Sequence, residues 1–295
     1  SPARLGLAAA ATAQVLWATG NLLAASIGLP GVQLASWRMA LGAVLYGAFL
    51  ATRRRWISAE ALRRGWQGGA AFGLTASLMF TALQETTVAN ATVITALQPL
   101  VIMALAGRMF GERFRPELLA TTLLTLVGVA LVIFGSTTSP AWSPRGDALA
   151  FGALLAWVWY FPASKRSRER LDALTYQTVV LVVGFPIAAC AALLTTGAVG
   201  RPTTAQWVGI LAMVLIPGTG HLLMNWSHAH IALTVASMLT LSIPVLSTIG
   251  AAAVLDEQIV GWQVVGMAIV VVGMGWLIRH HEDDHPPAPA EDSTP

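Results

Sequence analysis

Residues Ala89–Ile133 read ANATVITALQPLVIMALAGRMFGERFRPELLATTLLTLVGVALVI, and the same plan returns 145 positions later, without a gap, at Thr234–Ile278. The second copy reads TVASMLTLSIPVLSTIGAAAVLDEQIVGWQVVGMAIVVVGMGWLI. Ala91 falls on Ala236, Thr95 on Thr240, Pro99 on Pro244, Ala106 on Ala251 and Glu112 on Glu257. Val127, Gly128 and Ile133 fall on Val272, Gly273 and Ile278, making 8 identities in 45 positions. The number is close to chance; the kind of residue is not. In each copy a proline stands inside an apolar run, an acid closes that run 13 places later, and a second apolar run with glycine near its end follows. A proline-broken apolar helix at matching places in two halves points to a site between those halves.

Composition sets the environment. Of 295 residues 56% are hydrophobic and 11% charged, whereas a soluble domain carries roughly 25% charged residues. Mean hydropathy is +0.67. The apolar residues come in blocks near the length of about 20 that crosses a bilayer as a helix. Ten spans are predicted: Leu5–Ser26, Leu34–Thr52, Trp66–Leu83, Ala89–Met109, Leu118–Gly135, Gly146–Ala163, Leu174–Thr196, Trp207–Trp226, Ile231–Val254 and Val260–Ile278. His280–Pro295 is polar and Pro-rich and reads as a disordered tail. The partner is the lipid bilayer, not nucleic acid, because the net charge of +3 comes from short loops between apolar blocks. The single cysteine, Cys190, excludes a disulfide within the chain.

Lysine and arginine fix the orientation. With the N-terminus cytoplasmic, the inner segments hold Arg4, Arg53, Arg54, Arg55, Arg63, Arg64, Arg108, Arg113, Arg115, Lys165, Arg166, Arg168, Arg170 and Arg279. The outer loops hold Arg145 and Arg201, so 14 cations stand against 2 and both termini lie inside. Five spans precede Gly146 and five follow it. An odd number per repeat turns the second copy upside down, so Glu112 faces the cytoplasm and Glu257 the outside. The first spans of the halves agree too: Gly6 precedes Trp17, and Gly146 precedes Trp157, by 11 residues. The domains expected are 1–139, 140–279 and the tail 280–295. Trp37, Trp56, Trp66, Trp142, Trp207, Trp226, Trp262 and Trp276 lie near span ends, where amphipathic rings are at home. Trp17, Trp157 and Trp159 lie deep.

Ten spans in two halves, with TALQPLVIMALAGRMFGER (Thr95–Arg113) and TLSIPVLSTIGAAAVLDEQ (Thr240–Gln258) closing the fourth span of each, resemble the drug/metabolite transporter superfamily. More narrowly the chain is similar to the EamA-type carriers and, among these, to aromatic amino acid exporters. The resemblance covers everything but the tail. It implies an all-α integral membrane protein of ten transmembrane helices, an inverted five-plus-five repeat that moves small organic solutes. The Asp-Glu-Gln ending departs from the commoner Gly-Glu form, which weakens the parallel at that turn.

Polar groups inside hydrocarbon are costly and face the bundle interior or a water-filled cavity. Trp17 and Asn21, four apart, share a helix face and read as a cavity wall; packing and a helix-to-helix hydrogen bond are the plainer reading. Arg38 is the only cation within a span apart from Arg108, which stands next to a span end. It suits a substrate carboxylate, or it snorkels outward, or it pairs with Glu85. Gln98-Pro99 and Ser242…Pro244 mark the broken helices, with Pro99 and Pro244 as hinges or as static bends. His221 and Asn225 share a face after Pro217-Gly218-Thr219-Gly220, which should bend the eighth span. His221 binds substrate or carries a proton, or stays neutral between helices. Trp157 and Tyr160 read as an aromatic wall, from which Trp159 must point away. Met79 is core or contact.

No Asp or Glu lies mid-span, so gradient-driven movement is simpler than proton coupling, for which only His221 is at hand. No Walker A loop is present, and no cofactor or metal is expected. The expectation is a carrier, not an enzyme, in a bacterial inner membrane, monomeric, moving an amino acid-like molecule by alternating access. The substrate site comprises Trp17, Asn21, Arg38, Met79, Gln98, Trp157, Tyr160, His221, Asn225 and Ser242. A multidrug or quaternary-cation exporter would want an intramembrane carboxylate. An intramembrane lipid-processing enzyme would need an acid beside His228 and His230, and none lies in that loop.

Overall fold

The computed structural model describes residues 2–112, 115–135, 143–255 and 258–283. These fold into α1 (Pro2–Ser26), α2 (Gly31–Thr52), α3 (Ala59–Ala82), α4 (Val88–Ala96), α5 (Gln98–Phe110) and α6 (Pro116–Gly135). Then come α7 (Pro144–Arg168), α8 (Ala173–Thr196), α9 (Thr204–Ser227), α10 (Leu233–Leu239), a 3-10 turn (Thr240–Ser242), α11 (Ile243–Leu255) and α12 (Gly261–Asp283). No strand forms among the described residues. A side-chain oxygen starts most of the loop-to-helix transitions that the apolar blocks leave undefined. Ser58 caps α3, Thr87 α4, Ser143 α7 and Asp172 α8, and Thr203 with Gln206 makes a capping box on α9. Ser58 explains why α3 begins seven residues before Trp66, where its apolar stretch starts.

Eight helices are long and apolar enough to cross a membrane, counting Asn90–Phe110 and Leu233–Val254 each as one. The two further spans read from sequence exist as α3 and α7 but miss that standard. α3 carries Arg63, Arg64 and four glycines on its packed face; α7 carries Asp147, two tryptophans and Tyr160. α3 packs between α7 and α8, α1 against α9, and α6 against α12.

Glycine sets two of these approaches. A Cβ on Gly73 of α3 would stand 2.8 Å from the Gly184 carbonyl of α8. On α6 and α12, a Cβ on Gly128 would lie 2.8 Å from the Gly266 carbonyl, and one on Gly266 2.5 Å from the Gly128 carbonyl. Backbone meets backbone there, so neither side can yield. Gly266→Leu is therefore expected to destabilise the protein by about 3 kcal/mol, read as a lower melting temperature in detergent. Gly275→Ala, which meets nothing within 4 Å, should be silent. An equal response from both would remove the packing explanation.

The proline breaks fall where the missing N–H requires. α4 stops at Ala96, Leu97 forms a turn, and α5 resumes at Gln98 with Pro99 in its first turn. In the second copy the 3-10 turn Thr240–Ser242 occupies the corresponding place, and α11 resumes at Ile243. At an offset of 145 residues, α3, α4, α5 and α6 start where α9, α10, α11 and α12 start. The eighth span, α9, stays one continuous helix through Pro217.

Helix α12 runs past Ile278, the predicted end of the tenth span. His280 belongs to the last turns of α12, its Nδ1 lying 2.9 Å from the Trp276 carbonyl and its ring stacked on that indole. Residues 284–295, Arg113, Trp142 and the acid pair Asp256-Glu257 lie outside the described residues.

Candidate functional site

On α7, positions 157, 160, 161 and 164 follow the i, i+3, i+4, i+7 spacing of one helix face. Trp157, Tyr160, Phe161 and Ser164 accordingly turn inward, while Trp159 is 41% exposed. Trp157 and Tyr160 stack with ring centroids 4.9 Å apart and planes 4° apart. Trp17 of α1 meets Trp157 edge-on at 5.8 Å and lies 4.8 Å from the His221 ring of α9. Phe72 of α3 closes the cluster, 4.8 Å from His221 and 5.7 Å from Tyr160.

Beside these rings lies a narrow cleft, lined by Arg38, Tyr46, Phe72, Gln177, Gly218 and His221 among others. Arg38, Gly42 and Tyr46 lie four apart on α2, so all three face this space. Gly42 leaves room that a side chain would occupy. The Arg38 guanidinium sits 5.7 Å from the centre of the Phe72 ring and has no ion pair among the described residues. Glu85, one partner open to it on sequence grounds, pairs instead with Arg145, Oε2 to Nε 3.3 Å. Among the described residues, no carboxylate lines the cleft.

Behind the cleft lies a fully buried polar network. The Tyr160 hydroxyl donates to Asn225 Oδ1 at 2.5 Å, and the Ser164 hydroxyl to the same oxygen at 3.1 Å. Asn225 Nδ2 then donates to Gln177 Oε1 at 2.6 Å. With its oxygen so engaged, Gln177 is left with Nε2 buried and without a partner, as is His221 Nδ1. His228 Nδ1 lies 2.8 Å from Ser164 Oγ and ties the end of α9 to α7. One asparagine thus joins α7, α8 and α9.

The remaining sequence-predicted residues lie elsewhere. Asn21 is exposed and donates to Ser247 Oγ of α11 at 3.2 Å. Met79 packs with Ala82, Ala91 and Ala150 against α4 and α7. Ser242 donates to the Leu239 carbonyl within its own turn. Gln98 is buried and accepts from the Thr240 hydroxyl at 3.4 Å, so the two helix breaks touch. The structure brings Trp17, Arg38, Trp157, Tyr160, His221 and Asn225 together and leaves Asn21, Met79 and Ser242 apart from them. It adds Tyr46, Phe72 and Gln177. The Arg-x3-Gly-x3-Tyr strip of α2 was a legible signal for Tyr46, and Gln177 is the only amide of its span.

A second feature stands at the end of α5. The left-handed residue Gly111 (φ +66°) ends the helix and presents Glu112. Its carboxylate accepts from Lys165 Nζ of α7 at 2.9 Å, from the Leu233 N–H at 2.8 Å, and from the Thr234 N–H at 3.2 Å and hydroxyl at 2.8 Å. One acid thereby ties α5, α7 and the start of α10, where negative charge is favoured. Burial works against its ionisation, but Lys165 and the donors of α10 outweigh it and hold Glu112 below the usual carboxylate range.

Comparison with known proteins agrees with this architecture. The model of the EamA-like transporter family matches twice, over residues 4–134 and 144–279. A solved structure described only as "Crystal structure of protein" shares the fold with a TM-score of 0.79 at 22% identity, over 94% of this chain and 98% of that one. No curated protein matches the sequence.

Proposed function

We propose, from the premise that the chain belongs to the EamA-like transporter family, that this multi-pass membrane transporter of small solutes exports amino acids, aromatic or large neutral. It does so by alternating access without ATP hydrolysis. The observation that carries the reading is Arg38, without an ion pair among the described residues and facing a cleft beside Trp17, Phe72, Trp157 and Tyr160. A guanidinium takes a carboxylate through paired hydrogen bonds, and the rings offer faces on which an apolar or aromatic side chain stacks.

The halves 1–139 and 140–279 form an inverted five-plus-five repeat with both termini cytoplasmic, in a bacterial inner membrane. The common offset of helix starts and the double family match support the repeat; the arginine and lysine bias supports the orientation. In this frame Glu112 closes the cytoplasmic end by holding α10 to α5 and α7. Pro99 and Pro244 serve as hinges, and the contact between the two breaks lets one follow the other.

Counterflow in proteoliposomes tests the reading: vesicles loaded with one unlabelled amino acid should take up its labelled form. Trp17→Ala is expected to slow exchange about tenfold, the worth of one aromatic contact, while the yield of folded protein stays constant. Equal loss of flux and of folded protein would make Trp17 a packing residue. The alternative, a multidrug or quaternary-cation exporter, draws support from the ring cluster, since aromatic faces hold cations. Exchange of a quaternary ammonium alone would establish it.

A further inference from the structure

The charge of the cleft goes further than the family does. Its wall holds the five N–H donors of Arg38 and the Nε2 of Gln177, which has no partner among the described residues, and none of the described residues that line it carries a carboxylate. The network sets the orientation that Gln177 has in this structure. Asn225 Oδ1 accepts from Tyr160 and Ser164, Asn225 Nδ2 donates to Gln177 Oε1, and the Gln177 amide turns its N–H groups away from the network. A carboxylate finds a fixed cation and an amide donor here. An α-ammonium finds no counter-charge, and Arg38 already lies over the Phe72 face that would be its best substitute.

We infer that the carried species is a net anion: an aromatic or branched monocarboxylate bound through Arg38 and Gln177, for which an amino group is dispensable. This rests on reading the cleft as the carrier's site, and puts a carboxylate without the amino group in place of the neutral amino acid of that reading. Carboxylate and guanidinium neutralise each other inside the membrane, which removes the cost of a bare buried charge. Each turnover then moves one negative charge, and an inside-negative potential alone drives it outward. That gives uncoupled export a driving force without a proton relay.

The test uses the full-length protein in proteoliposomes and three solutes sharing one ring: phenylpropionate, phenylalanine and phenethylamine. A potassium diffusion potential set by valinomycin is imposed in either direction. Phenylpropionate should exchange and accumulate toward the positive side, by about fiftyfold at equilibrium for one charge across 100 mV; phenethylamine should not exchange. Arg38→Gln should reduce phenylpropionate exchange at least about tenfold. Gln177→Glu, which adds a carboxylate to the wall, should abolish it and admit the amine; size-exclusion profiles of both variants check folding. Exchange of phenylalanine alone, indifferent to the potential, would overturn the net anion while leaving the amino acid exporter standing. Exchange of phenethylamine by the unaltered protein would overturn both. Absence of exchange for all three, with the protein folded and inserted, would remove the carrier reading of the cleft and this inference with it.

Discussion

Glu112→Ala is expected to destabilise the solubilised protein by about 3 kcal/mol and to loosen the end of the bundle that this acid holds shut. The magnitude follows from what is left behind. Lys165, about one-fifth exposed, loses its only ion pair among the described residues, and the first N–H groups of α10 lose their acceptors. Loosening is read separately from stability. Ser237 of α10 is fully buried, so Ser237→Cys in a Cys190→Ala background should react slowly with a maleimide and much faster once Glu112 is gone. Swapping the pair, Glu112→Lys with Lys165→Glu, restores attraction but not the cap on α10, and should recover only part of the stability. The acid's lowered pKa gives a further check of sign. A depressed pKa contributes stability that is complete above the ordinary value near 4.5 and is lost as pH falls through the folded value. Acidification below about pH 4.5 should therefore cost the native protein stability that Glu112→Gln never had. If melting and labelling both ignore Glu112, the ion pair is idle and what closes that end of the bundle must be sought elsewhere.

How much of this was legible in the sequence depends on the range of the signal. The repeat, its prolines and its acids are periodic features of the chain, and the helix breaks appeared at the places they mark. Face arithmetic within one helix also worked: it separated Trp157 from Trp159 and joined His221 to Asn225. It fails on α1. Trp17 and Asn21 are spaced like His221 and Asn225, yet Trp17 is buried while Asn21 is exposed and reaches Ser247 of α11, because what covers each position is decided by the neighbouring helices. Partners across helices leave no trace in spacing. Nothing near Glu112 in the chain announces Leu233 and Thr234, more than 120 residues away, and nothing near Arg38 announces Phe72. The weak apolarity of α3 and α7 was the missed clue. Their charges gather near the helix ends, and the two helices pack against each other and supply Phe72, Trp157, Tyr160 and Ser164.

Asn225→Leu carries the second large effect, because one side chain satisfies three helices. Leucine nearly matches its volume and satisfies nothing. Tyr160, Ser164 and Gln177 would each keep a buried polar group without the partner it has now. Interhelical hydrogen bonds in membranes average roughly 0.6 kcal/mol, but a group stranded by loss of its partner costs about 1–3 kcal/mol. A loss of about 3 kcal/mol is therefore expected, measured as a drop in melting temperature. Removing the partner as well should relieve part of it: Tyr160→Phe with Asn225→Leu should be less unstable than the sum of the single variants, the non-additivity expected of groups in contact. Function separates the network's two roles. Asn225→Asp keeps the acceptor for Tyr160 and Ser164 but cannot donate to Gln177, which is then free to turn its oxygen into the cleft. That variant should stay folded yet bind the exchanged solute more weakly, because an acceptor has replaced a donor where the carboxylate sits. Retained exchange in Asn225→Asp would show that Gln177 does not touch the solute and leave Arg38 as the sole anchor.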